Sequence, residues 1–461
     1  MPYVDLPHTG QNDYASFWYI TNSPTGFVSS FDPAKPTILF IHPSFMDTSW
    51  LNRQFEDPRL DGDYNLIAFD SRHCGKSLAR LHLNEDSWTS AAELAMAFKV
   101  LSLSAAHVWA SDAPATHTAL RFAALFPEMC LSVTLLTVPP MEPKNVTTYH
   151  VFQELAHMWC YAEEIRILEH VFVNIVNAWC GPDLDADMID ELIAHLETHY
   201  PPGKRALVTH LMSIITGSSA VLTPTELAAV TQPMLIVHGD AHEACSIDEA
   251  HRFQKYFVNA RGGAKVYFIK GAHACLGLIP STATIANRVF ARFLSNLPHA
   301  RSDPSTPTDP LELQMSQPLL ILSKITDDKS VLGKNPLHAM SFSRIRPEEA
   351  SRRARKVKEA AVGQSEAFSP LASNGRPVRR YSERMHDHWF NEVDAEGMSY
   401  AGELGDSFEK KAREQDKVQP DSERSSDNTN TSGLLDTQQN TLKKTVSRQS
   451  AISPIAKFLR V

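Results

Sequence analysis

The chain has 461 residues, of which 43% are hydrophobic and 21% charged, enough for one large domain with a sizeable core or for two ordinary ones. Its formal net charge of −9 gives no broad attraction to nucleic acid. No run of about 18 apolar residues exists to span a bilayer, and Met1-Pro2-Tyr3-Val4-Asp5 lacks the features of a secretory signal, so a cytoplasmic location is expected.

The six cysteines, Cys74, Cys130, Cys160, Cys180, Cys245 and Cys275, form no C-x-x-C pair and no cysteine–histidine spacing suited to zinc. Reduced thiols are therefore expected, with no metal and no organic cofactor implied.

From Pro36 to Leu297 short apolar runs alternate with longer helical patterns, the mark of an α/β fold with a mostly parallel sheet and covering helices. Strands are predicted at 37–41, 65–69, 107–110, 132–137, 233–238 and 264–269, four of them continuous in Val, Ile or Leu as doubly buried strands are. Helices are predicted at 91–101, 116–126, 248–257 and 284–297, leaving a five-residue turn, Ser111-Asp112-Ala113-Pro114-Ala115, after the third strand.

Between Met141 and Val230 no strand pattern occurs, and Phe152, Leu155, Trp159, Ile165, Leu168, Val171, Ile175 and Trp179 recur at helical spacing. This reads as a helical cap insertion (141–230) in a core formed by 1–140 and 231–298. It would sit over the strands' carboxyl ends, where open α/β sheets bind ligands. Its aromatic residues either line a small-molecule pocket or pack the cap on the core.

After Pro298 the composition turns to Ser, Pro, Asp, Thr, Gln and charges, with one apolar island at 318–325, so 299–461 is expected to be a mostly disordered tail, available to protein partners. Within it, the basic cluster 352–358 is predicted to be helical after Pro347, either a solvated face or a nuclear-localisation or acidic-partner segment. Arg379-Arg380-Tyr381-Ser382 has the form of a basophilic kinase site.

Three blocks, in order, resemble the α/β-hydrolase superfamily. The first is Thr37-Ile38-Leu39-Phe40-Ile41-His42-Pro43 followed by Trp50; the second is Asp70-Ser71-Arg72-His73-Cys74-Gly75-Lys76-Ser77, similar to D-x-R-G-x-G-x-S with His73 in place of a glycine; the third runs from the turn at Ser111 through Pro127-Glu128. The second block is structural in that family. The first implies an oxyanion loop at His42, Ser44 and Phe45, in which Pro43 has no N–H and Ser44 or Phe45 must donate.

The resemblance places the nucleophile fourteen residues before Pro127, which is Ala113, and a methyl group cannot attack. Asp112, as in epoxide hydrolases and haloalkane dehalogenases, or Ser111 from an irregular turn, are the alternative nucleophiles. His273, in Gly271-Ala272-His273, matches the family's catalytic base. His242 stands where the acid is expected, so Asp240, Glu243 or, after another strand, Glu142 would have to orient the imidazole. Two functions remain open: hydrolysis of a small apolar ester, lactone or epoxide through a non-standard nucleophile, or a catalytically degenerate homologue that binds a small molecule or regulates.

Overall fold

The computed structural model describes residues 2–7, 13–141, 146–182, 184–217, 221–242, 244–303 and 309–384, with the backbone alone for 146–152. Its strands are β1 (Tyr3–Asp5), β2 (Ala15–Thr21), β3 (Thr37–Ile41), β4 (Asn65–Phe69), β5 (Leu78–Ala79), β6 (Ala106–Ala110), β7 (Cys130–Leu136), β8 (Met234–Gly239) and β9 (Ala264–Ile269). They form one sheet in the order β1-β2-β4-β3-β6-β7-β8-β9, with β5 paired to β2. From β4 through β9 every pairing along this path is parallel, while β2 meets β4 antiparallel. The carboxyl ends of six strands therefore share one edge.

Every residue of β3, β4 and β6 is buried, which explains their unbroken apolar runs. The terminal strand β9 alternates in exposure, as a strand covered on one side does. β1, β2 and β5 were not predicted; they precede Pro36 or, for β5, span only two residues.

The early helices are α1 (Asn52–Phe55), α2 (Pro58–Asp61), α3 (Ser87–Val100) and α4 (Ala113–Leu125). The turn after β4 is built on Asp70, whose carboxylate accepts the Thr48 and Lys76 N–H groups at 2.8 and 2.7 Å. Gly75 lies at φ +51 with an ideal Cβ only 2.1 Å from Asp70 Oδ2, so no other residue fits there.

Between β7 and β8 the described residues form only helices: α5 (Val146–Cys160), α6 (Ile165–Cys180), α7 (Ala186–His199), α8 (Arg205–Ile215) and α9 (Pro224–Ala228). Their apolar faces make a core of their own around Trp159, Phe172, Leu192, Leu196 and Val208. That core also takes in Phe45, Met46, Cys275 and Leu278 from loops beyond β3 and β9, so the insertion lies over the strands' carboxyl edge. Next come α10 (Ile247–Lys255) and α11 (Pro280–Leu294).

Of the expected tail, residues 309–384 are folded. Helix α12 (Leu311–Thr326) buries Met315, Leu319 and Leu322 in the same core as α3 and α4, and Phe342 packs near Phe126 with tilted rings whose centroids are 6.2 Å apart. Each such side chain contributes roughly 1.5–3 kcal/mol, a gain that segment composition does not register because its partners are some 200 residues away in sequence. Helix α13 (Pro347–Ala361) carries the basic cluster, but Arg353 is buried, donating to the Glu85 carbonyl and to Glu349. Residues 385–461 lie outside the described residues. Among the described residues no helix is long and apolar enough to cross a membrane.

Candidate active site

The predicted five-residue turn is shorter than expected. Only Ser111 and Asp112 separate β6 from α4, and Ala113 is the first helical residue. None of residues 111–115 has positive φ; Phe45 at φ 61 and Thr137 at φ 68, in the loops after β3 and β7, are among the left-handed positions of this edge. A nucleophile elbow depends on a strained tip that projects its side chain. Here the chain instead enters the helix through an ordinary extended N-cap, Asp112, at φ −155.

Both oxygens of the Asp112 carboxylate are engaged by the backbone. Oδ1 accepts the Ala115 N–H at 2.7 Å, and Oδ2 accepts the Ser44 N–H at 2.8 Å. Ser44 was one of the two residues, with Phe45, expected to donate to an oxyanion, and an internal carboxylate takes its N–H. Burial pushes the Asp112 carboxyl up, against the Ala115 and Ser44 donors and the nearby His42. Among the described residues Ser111 Oγ is buried with no hydrogen-bond partner.

The loop after β3, expected to hold an oxyanion, is otherwise committed to structure. His42 donates from Nδ1 to the Pro43 carbonyl at 2.8 Å and accepts the Ser71 N–H on Nε2 at 3.0 Å, which fixes its tautomer and ties the loop to the turn after β4. Phe45 points into the insertion, with ring centroids 5.2 Å from Trp159, 6.4 Å from Trp179 and 5.3 Å from Tyr200.

His273 follows β9 at the same edge as Asp112, the juxtaposition on which a triad depends. A chain of bonds joins the two loops: Thr116 Oγ1 donates to the Thr137 carbonyl at 3.1 Å, and Thr137 Oγ1 donates to the Ala274 carbonyl. Among the described residues, however, no hydrogen bond or ion pair joins His273 to Asp112 or Ser111. The imidazole lies instead against Gly181, where an ideal Cβ would stand 2.3 Å from its Cδ2. The Ala274 and Cys275 N–H groups both donate to the Trp179 carbonyl, at 3.1 and 2.9 Å, fastening the insertion to this loop.

The expected acids are dispersed. Asp240 accepts the Gly271 N–H at 2.6 Å, bracing the β8 and β9 loops from an exposed position. Glu243 and Glu142 lie outside the described residues. His242, with its pKa pushed down to about 3 by burial, His238 and His273, stays neutral at physiological pH and offers His273 no counter-charge. Cys275, two residues past His273, has no motif to announce it; its hydrogen bond with Cys180 and its burial hold the thiol well above its ordinary range, which keeps it unreactive.

The strand order, the parallel edge and the helical insertion after β7 make this an α/β-hydrolase fold, hydrolase-like in architecture. No protein-family profile matches the chain, and no curated protein sequence does. Among solved structures it is similar to a thermophilic esterase from Thermogutta terrifontis, with 15% identity and a TM-score of 0.49 over 63% of this chain and 98% of the other. It is also similar to an N-acyl homoserine lactone degrading enzyme, with 14% identity and a TM-score of 0.47 over 63% and 100% of the two chains. A third is 2-hydroxy-6-oxo-6-phenylhexa-2,4-dienoate hydrolase from Rhodococcus sp. strain RHA1, with 13% identity and a TM-score of 0.48 over 64% and 98%.

Proposed function

We propose that this chain is a catalytically degenerate α/β-hydrolase homologue, acting as a small-molecule binding or regulatory protein. The single observation that carries the reading is the Asp112 carboxylate seated on the Ser44 N–H at 2.8 Å, which fills from within the position that a reacting oxygen would occupy. An unstrained Ala113, a buried Ser111 and an imidazole packed on Gly181 agree with it. A ligand position away from the strand edge is supported by a cavity of about 250 Å³ between α5, α8 and α13, lined in part by His157, Tyr161, Met212, Arg352 and Lys356.

A second reading has one observation in its favour. A carboxylate held by an oxyanion-loop N–H, on the same edge as His273, is also how a carboxylate nucleophile would be steadied for hydrolysis of an epoxide, ester or lactone. The purified protein, screened against p-nitrophenyl esters, lactones and epoxides beside Asp112→Asn and Ser111→Ala, separates the two. The degenerate reading expects no turnover from any of the three; turnover abolished by Asp112→Asn but kept in Ser111→Ala establishes the carboxylate mechanism in its place.

A further inference from the structure

We infer that His73, Glu85 and His210 form a structural site for a divalent transition metal, zinc by its donor set. The three side chains come from the turn after β4, the loop before α3, and α8 of the insertion, and their exposures are 7%, 5% and 0%. His73 Nε2 lies 3.1 Å and His210 Nε2 2.9 Å from the same atom, Glu85 Oε2. Four ligands at 2.0–2.1 Å around a tetrahedral zinc stand about 3.3 Å apart, so the two nitrogen–oxygen separations need to open by only a few tenths of an ångström, and all three donor atoms lie within 4.8 Å of one another. Two imidazoles and one carboxylate are a zinc set, with a fourth position left for water.

The other Glu85 oxygen is already held by the protein, since Oε1 accepts the His82 N–H at 2.7 Å. Oε2 is thereby presented to both imidazoles. Around them the Arg72 guanidinium lies 2.5 Å from Glu93, 3.6 Å from Asp13 and 3.8 Å from Glu85, His338 lies 3.1 Å from Asp13, and Arg353 donates to the Glu85 carbonyl.

His73 adds an independent sign. It adopts φ 67, a left-handed conformation unfavourable for a non-glycine residue, in the turn position where the family resemblance has glycine. A histidine kept there at that cost has its side chain to contribute. A second cluster, Asp47, His195 and His199, is different in kind: His195 already accepts the Trp50 indole N–H on Nδ1 at 3.1 Å and donates from Nε2 to the Phe45 carbonyl at 2.9 Å, so neither nitrogen is free for a metal.

Zinc at the first cluster would pin α8 to the core. The assignment does not depend on whether the strand edge hydrolyses anything. The full chain, stripped with chelator and titrated with zinc and cobalt(II), tests it beside His73→Gly, which removes a ligand and relieves the backbone, and His199→Gln as a control. Wild type and His199→Gln should bind one zinc per chain, gain thermal stability with zinc, and show the visible absorption of tetrahedral cobalt. His73→Gly should fold and bind zinc at least about 100-fold more weakly, beyond the 10–100-fold typical of losing an outer-shell partner. No zinc uptake by wild type, or uptake equal in His73→Gly, overturns the assignment; if His73→Gly does not fold, the wild-type stoichiometry and cobalt spectrum decide alone.

Discussion

Asp112 holds two backbone N–H groups, one at the start of α4 and one in the loop after β3, and its removal orphans both. Asp112→Ala should therefore destabilise the protein by about 1 kcal/mol for the lost cap and by roughly 1–3 kcal/mol more for the Ser44 N–H. Urea unfolding checks this as a lower midpoint at unchanged slope. Gly181→Ala should also destabilise, because φ is +93 and the new Cβ would meet the His273 ring; a stability equal to wild type would show that the imidazole does not pack there. At this scale the sequence was partly informative. Ala113, Pro43 and His242 marked the departures from a hydrolase site, but the partner of Asp112 was not legible, because Ser44 is 68 residues away and only the sheet brings the two loops together.

At the scale of elements, α7 brings Glu197 beside Glu169 of α6, with Arg379 bonded to Glu169 at 2.7 Å. Burial, with the Glu169 charge adding to it, pushes Glu197 up to about 8. The folded state then binds a proton that the unfolded chain has released from about pH 4.5 upward, so this contribution is fully present below that pH, falls as pH rises towards 8, and is flat beyond. Its total is on the order of a few kcal/mol. The difference between wild type and Glu197→Gln, measured by denaturation across this range, should follow that course; a difference independent of pH would contradict it. Helix α12 gives a second test. Met315→Ala or Leu322→Ala should each cost about 2–5 kcal/mol if the helix belongs to the core, and nothing if it is a loose tail. Strand and helix periods revealed most of the sheet and the insertion. They did not reveal α12, whose apolar face at 315, 319 and 322 is interspersed with Gln, Ser and Pro and gains its burial from α4, α9 and the turn at Lys329–Gly333.

For the whole molecule, the insertion, the oxyanion loop and the segment after α13 close on one another. Arg205 of α8 donates to the Ala360 carbonyl at 2.7 Å, and Ser382 donates to Asp190 of α7 at 2.6 Å, so the kinase-like motif is engaged in fastening the chain across the insertion. Parallel order and edge placement followed from the β-α alternation, whereas the His73, Glu85 and His210 cluster joins residues as far as 137 apart and has no linear spacing to read. The central claim is that the strand edge is filled from within and performs no hydrolysis. The most direct measurement is the rate of p-nitrophenyl acetate hydrolysis by wild type and by His273→Ala at equal concentration. Equal rates at the level of the uncatalysed background are predicted; turnover by wild type that disappears in His273→Ala would contradict the account.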